Sequence, residues 1–220
     1  MIIAIDGPSG AGKSTIGKCL AQVLDFLYID TGAMYRAVAL AVLEAGADVQ
    51  DVAAVTEIAV RATVDLRGLP NALKVILDGR DVSADIRTDT VSRAASVISG
   101  VSAVRRRLVA RQRELGAQGD VVMDGRDVGT VIFPQADVKF FLTATPESRA
   151  QRRYQEDLAK GRAVTYEETL ADICERDARD TTRADSPLKQ AEDAIVIDST
   201  NLTIEEVLEK MLAFKSKIKS

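Results

Sequence analysis

The chain has 220 residues, 46% of them apolar and 28% charged, with 33 acidic against 29 basic side chains. That is ordinary globular composition, which excludes disordered and fibrous classes, and its acidic balance disfavours a protein that works by neutralising nucleic-acid phosphates. No apolar run approaches the ~18 residues a membrane-spanning helix needs. His is absent, which removes imidazole bases and most zinc sites. Of the basic residues 19 are Arg, and 13 of these fall between Arg105 and Arg183. Arg is the fork-shaped donor for phosphate and carboxylate, so this concentration points to a small anionic ligand. Met1 runs directly into Ile2-Ile3-Ala4-Ile5 with no basic leader, and a cytoplasmic protein is expected. Cys19 and Cys174 have no metal-like spacing and are expected to be buried or half-buried free thiols.

In chain order, Ile2 to Asp6 reads as a strand ended by Gly7-Pro8, followed by a helix from Lys13 to Leu24. Phe26 to Ile29 is a second strand and Ala33 to Leu43 a helix. Val121 to Met123, Val138 to Leu142 and Ile195 to Ile197 are further strands, apolar throughout rather than alternating. Such strands with helices between them indicate a parallel sheet covered on both faces, an α/β doubly wound architecture. Between residues 63 and 87 the pattern changes. Val64 to Arg67 and Leu73 to Leu77 flank a turn at Gly68 to Asn71, and Asp78-Gly79 offers another, so a small antiparallel insertion is expected. From Arg149 to Thr165 the chain is strongly charged, with Gly161 the only breaker, and reads as a solvated helical arm or a lid. Thr203 and Glu206 form a capping-box pattern before the apolar stripe Ile204, Val207, Leu208 and Met211. Lys210 to Ser220, with Lys215, Lys217 and Lys219, reads as a solvated helix end. Nothing divides the chain into independent domains, and one domain over 1–220, as a monomer, is expected.

The run Gly7-Pro8-Ser9-Gly10-Ala11-Gly12-Lys13-Ser14, followed by Thr15, matches G-x-x-x-x-G-K-[ST] between a buried strand and a helix. Its glycines let backbone amides turn inward on phosphate, and the helix N-terminus adds a favourable dipole. Lys13 would reach the terminal phosphates of ATP, and the hydroxyl of Ser14 or Thr15 would meet Mg²⁺. The guanine-reading Asn-Lys-x-Asp of GTPases is missing, and a motor ATPase would be longer. The separated Arg residues suit an enzyme that clamps a second phosphorylated substrate against ATP.

Two segments lie where an open α/β sheet places ligands, at strand carboxyl ends. Asp30-Thr31-Gly32-Ala33-Met34-Tyr35-Arg36 offers a ring and a phosphate fork, and taken alone reads equally as a helix start. Asp124-Gly125-Arg126-Asp127 offers an Arg between two carboxylates. Together with Ala94-Ala95-Ser96, the extension Val128-Gly129-Thr130 and Glu175-Arg176-Asp177-Ala178-Arg179-Asp180, these motifs resemble the bacterial cytidylate kinases, in order and over essentially the full length. The insertion at 63–87 looks like that family's extended nucleotide-binding insert.

The resemblance implies transfer of the ATP γ-phosphoryl group to CMP or dCMP and a P-loop kinase fold; the acidic balance and the lack of a long apolar run lead us to expect no nucleic-acid or membrane partner. By matching positions, Ser96, Arg105 and Asp127 would read the cytosine, and Thr31 and Tyr35 would line its pocket. Arg36, Arg126 and Arg183 would hold the acceptor phosphate, with Arg176 and Asp180 at the sugar. The stretch 149–165 would be the lid over ATP, with Arg149, Arg153 and Arg162 as charge stabilisers beside Lys13. Competing readings are another small-molecule P-loop kinase and a nucleotide-dependent switch without turnover.

Overall fold

Five short, largely apolar segments pair side by side, all parallel: β1 (Ile2–Asp6), β2 (Leu27–Asp30), β6 (Val121–Gly125), β7 (Val138–Thr143) and β8 (Ile195–Asp198). Their order across the sheet is β2-β6-β1-β7-β8. A computed structural model describes residues 1–214; the expected positions of Lys215, Lys217 and Lys219 lie outside the described residues. Successive side chains of β1 serve opposite faces. Ile3 and Ile5 pack with Val122, Phe140 and Leu142 under α1 (Lys13–Leu24) and α8 (Ile204–Leu212). Ala4 packs with Ile29 and Met123 under α2 (Thr31–Glu44). Helices on both faces explain strands without alternation, since no side of the sheet meets water. The edge strands are the exception: β2 leaves Leu27 and β8 leaves Val196 about half exposed.

The α2 helix begins at Thr31, two residues before the expected start, because Asp30 caps it: the Asp30 carboxylate accepts the Ala33 amide at 2.8 Å. Thr31 and Tyr35 are thereby fixed on the first turn at the end of β2. After α3 (Val52–Arg61) the insertion forms a separate antiparallel sheet of β3 (Val64–Arg67), β4 (Lys74–Leu77) and β5 (Arg80–Asp81). Asp78 and Gly79 both have positive φ, 49° and 85°, the conformation of a tight two-residue hairpin turn. Val64, Val75 and Leu77 from this sheet join the α2-side core.

Next come α4 (Asp89–Ile98) and α5 (Ser102–Gly116), then β6, a π-helical turn at Val128–Ile132, and β7. The charged stretch is a helix pair, α6 (Pro146–Ala159) and α7 (Tyr166–Thr182), with Gly161 in the connection and a capping box between Thr165 and Glu168. Cys174, expected to be at least half-buried, is exposed: it follows buried Ile173 on α7 and so points off the packed face, whereas Cys19 is half-buried. The Thr203–Glu206 capping box forms as expected at the start of α8. No described helix is long and apolar enough to cross a membrane.

Candidate active site

The strand β1 runs into the glycine run at the carboxyl edge of the sheet. Gly7 passes so close to β7 that a Cβ would sit 2.0 Å from the Leu142 carbonyl oxygen, so only glycine fits. Gly12 takes φ 90° as the residue before α1, a left-handed conformation that turns the chain into the helix. Lys13 is buried, its ammonium donating to the Pro8 carbonyl at 2.6 Å. Burial, together with the nearby Arg126 charge, pulls the Lys13 pKa down to about 7. The Ser14 hydroxyl donates to Asp124 at 2.9 Å and the Tyr28 hydroxyl donates to the other Asp124 oxygen at 2.6 Å. Asp124 is itself pushed up to about 6 by burial and by the neighbouring Asp30 carboxylate.

Beyond the cradle lies a cavity of about 620 Å³, within the range of sites that enclose a small ligand. It is lined by Ser9 through Thr15 and, opposite them, by Thr31, Tyr35, Arg36, Ser96, Arg105, Arg126, Asp127, Arg153, Arg176, Asp180 and Arg183. Residues from Ser9 to Val207, 198 positions apart in sequence, thus share one wall system. Gly7 and Pro8 lie behind the cradle rather than on the cavity surface.

Arg105, 2% exposed, pairs with Asp127 at 2.5 Å and lies over the Tyr35 ring with its guanidinium carbon 5.6 Å from the centroid. Arg183 reaches the other Asp127 oxygen at 3.6 Å and Asp180 at 3.4 Å. Arg126 donates to Asp180 at 2.8 Å. Burial alone would push the Asp180 carboxyl up, but Arg126, by charge and hydrogen bond, holds it below the usual carboxylate range. Burial and Arg126 lower Arg176 to about 10. Arg36 pairs with Asp30 at 3.1 Å. Around this end four buried donors have no hydrogen-bond acceptor: the Tyr35 hydroxyl, Arg36 Nε, Arg105 Nε and Arg183 Nη2. Buried donors are nearly always paired, so a cluster of open ones marks where ligand oxygens belong.

Two expected charge stabilisers are placed elsewhere. Arg149 is buried and committed to the fold: it donates to the Ser9 and Ala144 carbonyls and pairs with Asp177 at 2.6 Å, bracing the cradle from behind. Arg162 lies outside the cavity wall, held by Asp89 at 2.8 Å and Asp157 at 2.9 Å. Arg153 does line the cavity, while also contacting Asp157 at 3.2 Å and Asp89 at 3.5 Å.

The sequence places Asp30 and Asp124 in candidate segments at strand ends and Arg179 in a motif, without giving any of the three a role; Arg152 it misses altogether. Arg152 lines the cavity from α6. Arg179 donates to the Ser96 hydroxyl at 2.7 Å, a partnership across 83 positions that no local pattern reveals.

Residues 3–217 match the family model described as cytidylate kinase. The chain is 52% identical over 214 residues to a cytidylate kinase of Solibacter usitatus, covering 96% of this chain and 90% of that one. It is 50% identical over 211 residues to one from Geobacter sp. (strain M21), covering 96% and 91%. Among solved structures, a gluconokinase from Sinorhizobium meliloti superposes with TM-score 0.51 at 14% identity over 98% of this chain and 91% of that one. A shikimate kinase from Bacteroides thetaiotaomicron gives TM-score 0.50 at 14% identity over 98% of both chains. These two likenesses speak to the fold alone.

Proposed function

The chain belongs to the cytidylate kinase family and transfers the γ-phosphoryl group of ATP to CMP or dCMP; from that premise we propose which of its residues do the work and how. The observation that carries the assignment is the cluster of open buried donors on Tyr35, Arg36, Arg105 and Arg183, which line one cavity with Asp127.

Cytosine presents an exocyclic amino group beside the acceptors N3 and O2. Asp127 accepts from the amino group, and Arg105 and Ser96 address the ring acceptors. Uracil turns an oxygen toward Asp127 where cytosine offers a donor, leaving a buried carboxylate opposed rather than paired, which costs far more than a lost contact. Tyr35 and Thr31 form the side of this pocket. Arg36, Arg126 and Arg183 hold the acceptor phosphate, and Arg176 and Asp180 meet the sugar.

Phosphoryl transfer depends on alignment and charge neutralisation more than on proton removal. The acceptor phosphate oxygen is already anionic, so a chain without histidine loses nothing. Lys13 and the cradle amides bind the donor phosphates, and Arg153 with Arg126 offsets the charge that spreads during transfer. Closure of the α6–α7 pair over the cleft excludes water and keeps the phosphoryl group from hydrolysis.

The donor set suits Mg²⁺, which takes hard oxygen ligands: the Ser14 hydroxyl faces the cleft with the Asp124 carboxylate 2.9 Å behind it. Ser14 rather than Thr15 would hold the ion, with Asp124 orienting its shell. Bound there, the ion would supply positive charge to the donor phosphates. A monomer is taken as the working unit. The free thiols of Cys19 and Cys174 fit a reducing cytoplasm.

A coupled assay with ATP and CMP, UMP, AMP or shikimate tests the reading. ADP formation should require CMP or dCMP, with UMP far behind. Equal kcat/KM for CMP and UMP would remove Asp127 and Arg105 from base recognition.

A further inference from the structure

Asp127 occupies the residue before the π-helical turn Val128–Ile132. An aspartate at such a position ordinarily folds its carboxylate back onto the first free amides of the turn, satisfying donors that the helix leaves open. Asp127 makes no such bond. The amides it would serve are taken by a different carboxylate. Val128 N–H donates to Asp6 Oδ1 at 2.8 Å and Gly129 N–H to Asp6 Oδ2 at 2.7 Å. Asp6 ends β1, 122 positions away from Val128, and is 4% exposed. A Cβ on Gly129 would touch Asp6 Oδ2 at an ordinary 3.4 Å and crowd the Lys139 side chain at 3.0 Å. Asp127 is meanwhile anchored by its backbone, its carbonyl accepting the Val131 and Ile132 amides at 2.9 and 3.1 Å. Only its side chain is free to choose a direction, and it faces Arg105 and Arg183.

We infer that Asp6 is a specificity-positioning residue: by capping the 128–132 turn in place of Asp127, it keeps the Asp127 carboxylate turned toward the cytosine amino group. Without Asp6 the two amides become buried open donors, and the Asp127 carboxylate, at the residue before the turn, can fold back to answer that of Gly129. It would then be drawn off the base, and the enzyme would lose discrimination more than it loses phosphoryl transfer. Burial and the Asp127 charge raise the Asp6 carboxyl to about 6, against the pull of the two amide bonds. A carboxyl group held there at such a cost in desolvation is in keeping with a positional task. The inference rests on the reading that Asp127 receives the cytosine amino group.

The test uses Asp6→Asn, which is nearly isosteric and still accepts one amide, and Asp6→Ala, which accepts none. The kcat/KM ratio of CMP to UMP is measured with KM for ATP and the melting temperature. The ratio should fall ~10-fold or more in Asp6→Ala and less in Asp6→Asn; the Asp6 charge also acts on Lys13, so KM for ATP, common to both acceptors, is read separately and does not move the ratio. Placed in an Asp127→Ala background, Asp6→Asn should leave the ratio where Asp127→Ala alone puts it. If CMP and UMP rates fall in step, or the ratio in Asp6→Asn stays at the wild-type value, the inference is overturned while the Asp127 assignment survives. If Asp127→Ala itself leaves the ratio intact, the base-reading assignment fails and takes this inference with it.

Discussion

The donor end of the cleft is lined by one unbroken run, Ser9–Thr15, whose backbone amides are suited to phosphate. The acceptor end draws charged side chains from positions spread between Thr31 and Arg183, almost all held in ion pairs before any ligand arrives. The difference follows from what each end must recognise. A polyphosphate is the same in every nucleoside triphosphate, so a cradle of amides and one lysine suffices. A particular base and its monophosphate need donors and acceptors at set angles, and those come only from side chains fixed by their neighbours. The acceptor end is therefore the more fragile of the two. It holds a network in which removing one member strands another.

That contrast can be broken in graded ways. The largest effect should come from the donor end, where Lys13→Met is expected to lower kcat about 10²–10³-fold without lowering the melting temperature, because a buried ammonium is lost. A coupled assay and a thermal melt on the same preparation check both halves. At the acceptor end Asp127→Ala should reduce the CMP to UMP preference by roughly 10²-fold and cost about 3 kcal/mol of stability as Arg105 is left buried without its partner. The double variant Asp127→Ala/Arg105→Met should recover melting temperature but not specificity, which separates the network's two roles. Arg36→Ala, which removes one phosphate fork, is expected to raise KM for CMP about 10-fold, with KM for ATP unmoved.

A subtler difference lies in pH. The Lys13 pKa is about 7 in the free protein against an ordinary 10.5. Across that window the unfolded chain holds a proton that the folded chain has released, so this residue makes stability rise with pH between about 7 and 10.5, a slope that Lys13→Met should erase. Nucleotide phosphates favour the charged lysine, so ATP should bind with proton uptake and weaken as pH rises above about 7. Calorimetry in buffers of different ionisation enthalpy reads that uptake directly. The smallest effect belongs to neither end: Thr203→Ala, which removes the α8 cap, should cost about 1 kcal/mol in melting experiments and leave kcat unchanged.

How much of this was legible in the sequence divides along the same line. The cradle, the parallel strands and the α8 capping box are local patterns, and each appears in the structure where the residues indicated. The start of α2 was misjudged by two residues because Asp30 reads as a strand end, while its capping bond to Ala33 exists only once the turn forms. Arg149 and Arg162 have the composition of phosphate ligands, but burial and the carboxylates of Asp177, Asp89 and Asp157 engage them elsewhere. Arg179 on Ser96, and Asp6 on Val128 and Gly129, join positions far apart in the chain. Such pairings are properties of the folded sheet edge, where chain ends from different strands meet, and no spacing rule encodes them. The acceptor site itself became readable only through a whole-chain likeness, since each of its motifs alone is an ordinary helix start or salt bridge.

The most direct test is a crystal structure with CMP and a non-hydrolysable ATP analogue bound together. The guanidinium groups of Arg36, Arg126 and Arg183 should converge on the CMP phosphate, with the Asp127 carboxylate against the cytosine amino group and the analogue's terminal phosphate at Lys13. Finding those three arginines directed away from the junction of the two nucleotides, or the base seated elsewhere than beside Asp127, would contradict the account.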